Sequence, residues 1–303
     1  MREDEAVTSA TDPRPRPADG AGNGPGAGAT TPVRLIATDL DGTLLRDDKS
    51  VSPRTVAALA AAEAAGIEVF FVTGRPARWM DVVSAHVHGH GLAICANGAA
   101  VVDLHAGGEL IEVRPLERAD ARATVAALRA AVPGSSFAVE LTTGIHYEPA
   151  YPPFQFDPAA GIASAEELLH EEVPGSGDPV IKLLVHHPSL APDDFLDLAR
   201  ATVGELGSVT RSSPTALLEI SGPGVSKAST LARCCAERGI APEEVVAFGD
   251  MPNDIEMLAW AGRSYAMGNA HPAVLAVATG RTSPNEEDGV AAVIEQILAE
   301  HRQ

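Results

Sequence analysis

Asp39-Leu40-Asp41-Gly42-Thr43 sets two carboxylates one residue apart directly after the apolar run 33–37. A carboxylate can act as a nucleophile, as a general acid or base, or as a hard oxygen ligand. In an open α/β sheet ligands collect beyond the carboxyl ends of the strands, so a strand ending at residue 38 delivers both acids to where chemistry occurs. Two other readings compete with a reactive pair: a calcium loop and a solvated acidic turn. A calcium loop counted from Asp39 needs Gly at its sixth position and Glu at its twelfth, and those positions hold Leu44 and Ser50.

Three further segments, far apart in the chain, fall at strand ends or helix starts: Thr73-Gly74, Lys227, and Gly249-Asp250-Met251-Pro252-Asn253-Asp254. Phosphate-ester cleavage needs an in-line nucleophile, an acid for the leaving oxygen, and positive charge for the phosphoryl oxygens. Asp39 is competent as the nucleophile. Asp39 and Asp250 offer hard oxygens suited to Mg²⁺. Thr73 and the Gly74 amide can hold phosphoryl oxygens, although Thr73 can equally cap a helix starting near Pro76. Lys227 puts an ammonium beside helix N-terminal amides, a combination suited to an anion, although a lone Lys is more often simply solvated.

The elements that must position these residues follow from the surrounding pattern. After the first strand, Ser52-Pro53 opens a helix that runs to Gly66, and 67–72 reads as a strand buried on both faces. A helix to about His88 and a short strand over 92–96 follow, ending at Asn97-Gly98. Beyond that the texture changes. Val101 to Leu104 and Leu110 to Val113 flank Gly107-Gly108 as a hairpin, and mixed helices and strands continue to about residue 220. The parallel pattern resumes at Ser226. The expected fold is a doubly wound, mostly parallel α/β core interrupted by an α+β unit. The expected division is a disordered tail over 1–31, core over 32–98 and 216–303, and the inserted unit over 99–215.

Composition narrows the partners. With 22 basic against 41 acidic residues the net charge is −19, which opposes nucleic acid and anionic membrane and leaves a small ligand as the expected partner. The three cysteines, Cys95, Cys234 and Cys235, form no CxxC pair and no disulfide framework, which fits a reducing cytoplasm. No signal peptide or membrane span is legible. His146, His186 and His187 lack a third ligand at metal spacing and read as surface or packing residues. The stretch 137–151 holds Glu140, Thr142, Thr143, His146 and Tyr147, which can face sugar hydroxyls or be the exposed side of an antiparallel sheet.

In their order and setting the four segments resemble the haloacid-dehalogenase superfamily, and within it the Cof-type phosphatases with a large α+β cap. Supporting strings are Ala96-Asn97-Gly98-Ala99, Ala266-Met267-Gly268-Asn269-Ala270 and Asn285-Glu286-Glu287-Asp288-Gly289-Val290-Ala291. The resemblance spans about residues 33–300; one departure is Ala228, where Gly often follows the lysine. It implies an Mg²⁺-dependent phosphomonoesterase acting on small phosphorylated metabolites through an aspartyl phosphate. In that reading Asp41 protonates the leaving alkoxide and then activates water, and its backbone carbonyl joins Asp39 and Asp250 on the metal. Leu40, Thr73, Gly74, Lys227 and Asn253 contact phosphate, and Asp254 orients Lys227 or the metal waters, a role compatible with capping the helix through Leu258. A phosphotransferase or mutase using the same intermediate, or a ligand-binding module without turnover, are the alternatives.

Overall fold

The computed structural model describes residues 31–84, 91–152, 157–170 and 177–301. The expected tail, apart from Thr31, and the end of the helix expected to reach His88 lie outside these residues. One sheet has eight strands in the order β14-β13-β12-β1-β2-β3-β4-β5. These are β1 Leu35–Thr38, β2 Glu68–Val72, β3 Gly91–Cys95, β4 Ala100–Asp103, β5 Glu109–Val113, β12 Val245–Gly249, β13 Arg263–Ala266 and β14 Gly280–Arg281. From β14 to β3 all pairs are parallel, and β4 and β5 are antiparallel.

Alternation along the parallel strands feeds two apolar layers. Ile36, Phe71 and Phe248 pack on the helices Pro53–Ala64 and Gly289–His301, while Leu35, Ala37, Phe70 and Val245 pack on Lys227–Glu237 and Ile255–Trp260. A sheet covered on both faces is what the continuous apolar runs require. Ser52 caps the first of these helices by accepting from the Thr55 amide, Pro53 occupies its first turn, and Gly66 leaves it with φ +80°, as the sequence predicts.

The second sheet has six strands in the order β10-β11-β9-β6-β7-β8. They are β6 Ser136–Leu141, β7 Gly144–Tyr147, β8 Gly161–Ile162, β9 Val180–His186, β10 Ser208–Thr210 and β11 Leu217–Ser221. Its pairs are antiparallel except β7 with β8. Phe137, Val139, Leu183, Val185, Leu218 and Ile220 bury one face under the helices Arg118–Ala131 and Pro192–Val203. The other face carries Ala138, Glu140, Lys182, Leu184, Leu217 and Glu219, because strand side chains alternate.

Two expected boundaries are corrected by the pairing. The 101–113 hairpin, expected to open the inserted unit, extends the large sheet, since β4 pairs with β3 through Leu92↔Asp103 to Cys95↔Ala100. Conversely β11, expected at the return to the core, pairs with β9 and β10 in the small sheet. The chain passes between the sheets at two adjoining points: a Cβ on Gly222 would stand 2.7 Å from the Pro115 carbonyl oxygen. Among the described residues no helix is long and apolar enough to cross a membrane.

Candidate active site

β1 lies between β12 and β2, with Thr38 level with Phe248 on one side and Phe71 on the other. That register brings three strand ends side by side, so Asp39, Thr73 and Asp250 emerge together although 211 residues separate Asp39 from Asp250 (250 − 39). The Asp39 amide donates to the Phe248 carbonyl at 3.1 Å, extending the pairing by one residue. Gly42 then turns the chain with φ +76°, and a Cβ there would lie 2.3 Å from Asp250 Oδ2. Only glycine accommodates both demands.

Lys227 opens the helix Lys227–Glu237, and Ser226 caps that helix by accepting from the Ser229 amide. Its ammonium is fully buried and donates to Asp39 Oδ1 and Asp254 Oδ1, each at 2.7 Å. Burial alone would lower the Lys227 pKa; Asp254 and Asp39 more than reverse this and raise it. Asp254 has its other oxygen filled by the amides of Asp250 and Met251, at 3.0 Å each. It thus ties Lys227 to the 249–254 turn, and its side chain caps that turn and not the helix that follows. Asp250 Oδ1 accepts from Thr43 at 3.0 Å. Burial first, then neighbouring carboxylates, raise the pKa of Asp39 and of Asp250 well above the usual range.

The carboxylates that gather are Asp39, Asp250 and Asp254, whose nearest oxygens lie within 4.8 Å of one another. Hard, buried oxygen donors gathered this closely fit a small divalent cation such as Mg²⁺. Asp254 has spent its oxygens on Lys227 and two amides, so Asp39 and Asp250 are the side chains left to hold an ion. The Asp41 carboxylate points elsewhere. Arg75 grips it through Nε at 2.6 Å and Nη2 at 2.7 Å, and Lys49 adds a third contact at 2.8 Å. Burial would raise the Asp41 pKa, but Arg75 and Lys49 together bring it down to about 2. Any share Asp41 has in the metal site therefore falls to its backbone carbonyl.

Thr73 is buried, and its hydroxyl accepts from the Arg75 amide at 3.1 Å, a bond within the turn; the short helix that follows, Ala77–Trp79, has no side-chain cap, so Thr73 does not cap it. Gly74 is reached from the small sheet: Lys182 donates to its carbonyl at 2.8 Å and to Glu219 Oε1 at 2.8 Å. A chain of amides continues from there. Asn97 Nδ2 donates to Glu219 Oε2 at 2.6 Å, and Asn253 Nδ2 donates to Asn97 Oδ1 at 3.0 Å. Glu219 is acceptor-only when ionised. Burial would raise its pKa, but Lys182 and Asn97 hold it low. The direction of every bond in the chain is thereby fixed, leaving Asn253 one Nδ2 hydrogen for a ligand and a buried Oδ1 without a partner. Asn97 and Ala96 sit at φ +55° and +49°, the left-handed region that costs a non-glycine residue about 1–2 kcal/mol. Leu40 turns its side chain into the core, so its backbone amide is what it can offer.

These groups border a cavity of about 180 Å³ with Asp39, Thr73 and Gly74 on one wall and Glu140, Lys182 and Glu219 on the other. Arg75, Asn97, Lys182 and Glu219 were not legible as site residues. The signal for the last two was a charge of opposite sign in the middle of each of two apolar strands. Of the 137–151 set, Glu140 lines the cavity, Tyr147 is buried and stacks on Tyr151, and Thr143 is exposed and bonds Asp178. His187 accepts from the amides of Ser189 and Leu190 and packs on Phe195. Burial pushes the thiols of Cys95 and Cys235 up to about 12, far from the reactive range.

Comparison with known proteins agrees with this geometry. The profile of the haloacid dehalogenase-like hydrolases matches residues 36–294. Pyridoxal phosphate phosphatase YbhA of Escherichia coli is 31% identical over 277 residues, 86% of this chain and 97% of that protein. The 5-amino-6-(5-phospho-D-ribitylamino)uracil phosphatase YitU of Bacillus subtilis is 28% identical, over 88% of this chain and 97% of its own. A solved haloacid dehalogenase-like hydrolase from B. subtilis superposes with a TM-score of 0.74 at 26% identity, over 87% of this chain and 99% of the other.

Proposed function

Because the chain belongs to the haloacid dehalogenase-like hydrolases, as a phosphatase of the Cof-type branch with a cap, we propose that it is an Mg²⁺-dependent phosphomonoesterase of small phosphorylated metabolites. The observation that carries this is Asp39 at the end of the central strand, with Oδ1 held by Lys227 and Asp250 beside it. Two relatives named for phosphorylated cofactors or their precursors support the substrate class. We place the cap at 114–221, between core segments 32–113 and 222–303.

Lys227 fixes one Asp39 oxygen and leaves Oδ2 to attack phosphorus. The Asp39–phosphorus bond forms as the bond to the leaving oxygen breaks, and Asp41 supplies that oxygen with a proton. Asp41, now a carboxylate, takes a proton from the water that attacks the aspartyl phosphate, which frees Asp39 and inorganic phosphate. Thr73, the amides of Leu40 and Gly74, Lys227 and the unspent Asn253 hydrogen hold the phosphoryl oxygens. Bound at Asp39 and Asp250, Mg²⁺ supplies the positive charge that lets an anionic nucleophile meet an anionic phosphate. The test is phosphate release from a panel of sugar, nucleotide and cofactor phosphates, with Mg²⁺ and with chelator. Release that does not depend on the metal overturns the reading.

Arg75 bears on the first step. A pKa of about 2 keeps Asp41 ionised at neutral pH, which suits the base and starves the acid. In Arg75→Met the protonated fraction rises. For an alkyl phosphate, whose leaving group needs the proton, kcat/KM measured relative to p-nitrophenyl phosphate should increase roughly tenfold near pH 6. An unchanged ratio means Arg75 has already released Asp41 when substrate is bound.

A further inference from the structure

The wall of the cavity opposite Asp39 has a lopsided chemistry. Four carboxylates line the cavity, Asp39, Asp41, Glu140 and Glu219, against two cations among the described residues, Arg75 and Lys182. Each already has a carboxylate partner. Arg75 is held twice by Asp41, and Lys182 is divided between Glu219 and the Gly74 carbonyl. Arg78, behind Glu140, gives Nη1 to Glu140 Oε1 at 2.6 Å and also pairs with Asp157.

Acceptor positions without a charge partner of their own are left over. A carboxylate offers about four lone-pair positions. Arg78 takes one on each oxygen of Glu140, at 2.6 and 3.3 Å, and the residue is only 2% exposed. Asn253 lines the same cavity, 91% buried by residue, and its Oδ1 has no hydrogen-bond partner. A buried acceptor in that state is costly until a donor reaches it. One acceptor stands on β6 of the small sheet and the other in the turn that follows β12 of the large sheet, and both call for the same kind of ligand.

Resting on the phosphatase reading, we propose that this wall selects phosphomonoesters whose body carries hydroxyl or amino donors and no second anionic group, with Glu140 as the specificity-determining residue. A donor-bearing body fills the open positions of Glu140 and Asn253 Oδ1. A second phosphate or a carboxylate meets Glu140 and Glu219 with their cations already committed, and like charges brought together out of water are strongly unfavourable. Selection here is mostly rejection, because the wall is built to leave the wrong group unpaired.

Three substrates and one variant test it, with the enzyme saturated in Mg²⁺. p-Nitrophenyl phosphate has neither donors nor a second anion, so its hydrolysis reports the chemistry alone; no release there overturns the phosphatase reading beneath this one. For wild type, kcat/KM for fructose 6-phosphate should exceed that for fructose 1,6-bisphosphate by about tenfold or more. Turnover of p-nitrophenyl phosphate with a ratio near one, or reversed, overturns the selection while leaving the phosphatase standing. Glu140→Gln keeps the shape, removes the charge and loosens Arg78, so the ratio should fall severalfold toward one. A folded variant with the wild-type ratio removes Glu140 from the role; if the variant does not fold, the wild-type ratio alone decides.

Discussion

Asp39→Asn should lower phosphate release by about 10⁴-fold or more while leaving the fold intact. The change is nearly isosteric, and Lys227 keeps Asp254 at 2.7 Å as its partner. On the proposed mechanism, what is lost is the oxygen that would form the bond to phosphorus. The variant also loses a metal ligand, so rates should be taken across a wide range of Mg²⁺. If high Mg²⁺ restored turnover to within a few fold of wild type, Asp39 would be a ligand and not the nucleophile.

Lys227→Met should be the most damaging single change to stability in this region. The ammonium is fully buried among Asp39, Asp254 and the neighbouring Asp250. Removing one partner of a buried pair costs about 3–5 kcal/mol, or roughly 10 °C in melting temperature for a domain of this size. The loss should be larger in chelator than in Mg²⁺, because a bound cation takes over part of the neutralisation that Lys227 provides. Thermal unfolding of both proteins under both conditions decides this. Equal destabilisation with and without metal would mean that Lys227 acts through packing. Turnover should fall as well, since on the proposed mechanism the phosphoryl oxygens lose a fixed cation.

The residues that the core brings together were legible because each follows a strand buried on both faces or opens a capped helix. Asp39 after 35–38, Thr73 after 68–72 and Asp250 after 245–249 obey one local grammar, and parallel order does the rest. The hairpin at 100–113 was misplaced because alternation around Gly107-Gly108 reads the same in either sheet. Only the pairing of Leu92 with Asp103 decides where it belongs. The second wall was beyond local reading. Glu140, Lys182 and Glu219 stand on three strands, and their opposing charges become a cavity lining only once β6, β9 and β11 are neighbours. Asn97 was visible as part of a string, but its work depends on Glu219, 122 residues away. Arg75 follows Thr73-Gly74 directly, yet nothing in the spacing announces that it will hold Asp41.

The adjoining crossings at Pro115 and Gly222 give the small sheet the topology of a plug-in cassette. All eight strands of the large sheet lie outside residues 114–221, so a short linker from 115 to 222 closes the chain with every core pairing retained, at little loop-closure entropy. The two ends of the cassette occupy one place, which makes the lid exchangeable between relatives as a unit. On the proposed reading, a graft would carry over Glu140 and leave behind Asn253 and the carboxylates assigned to the ester, so that much of what is recognised and what is done to it would be inherited separately.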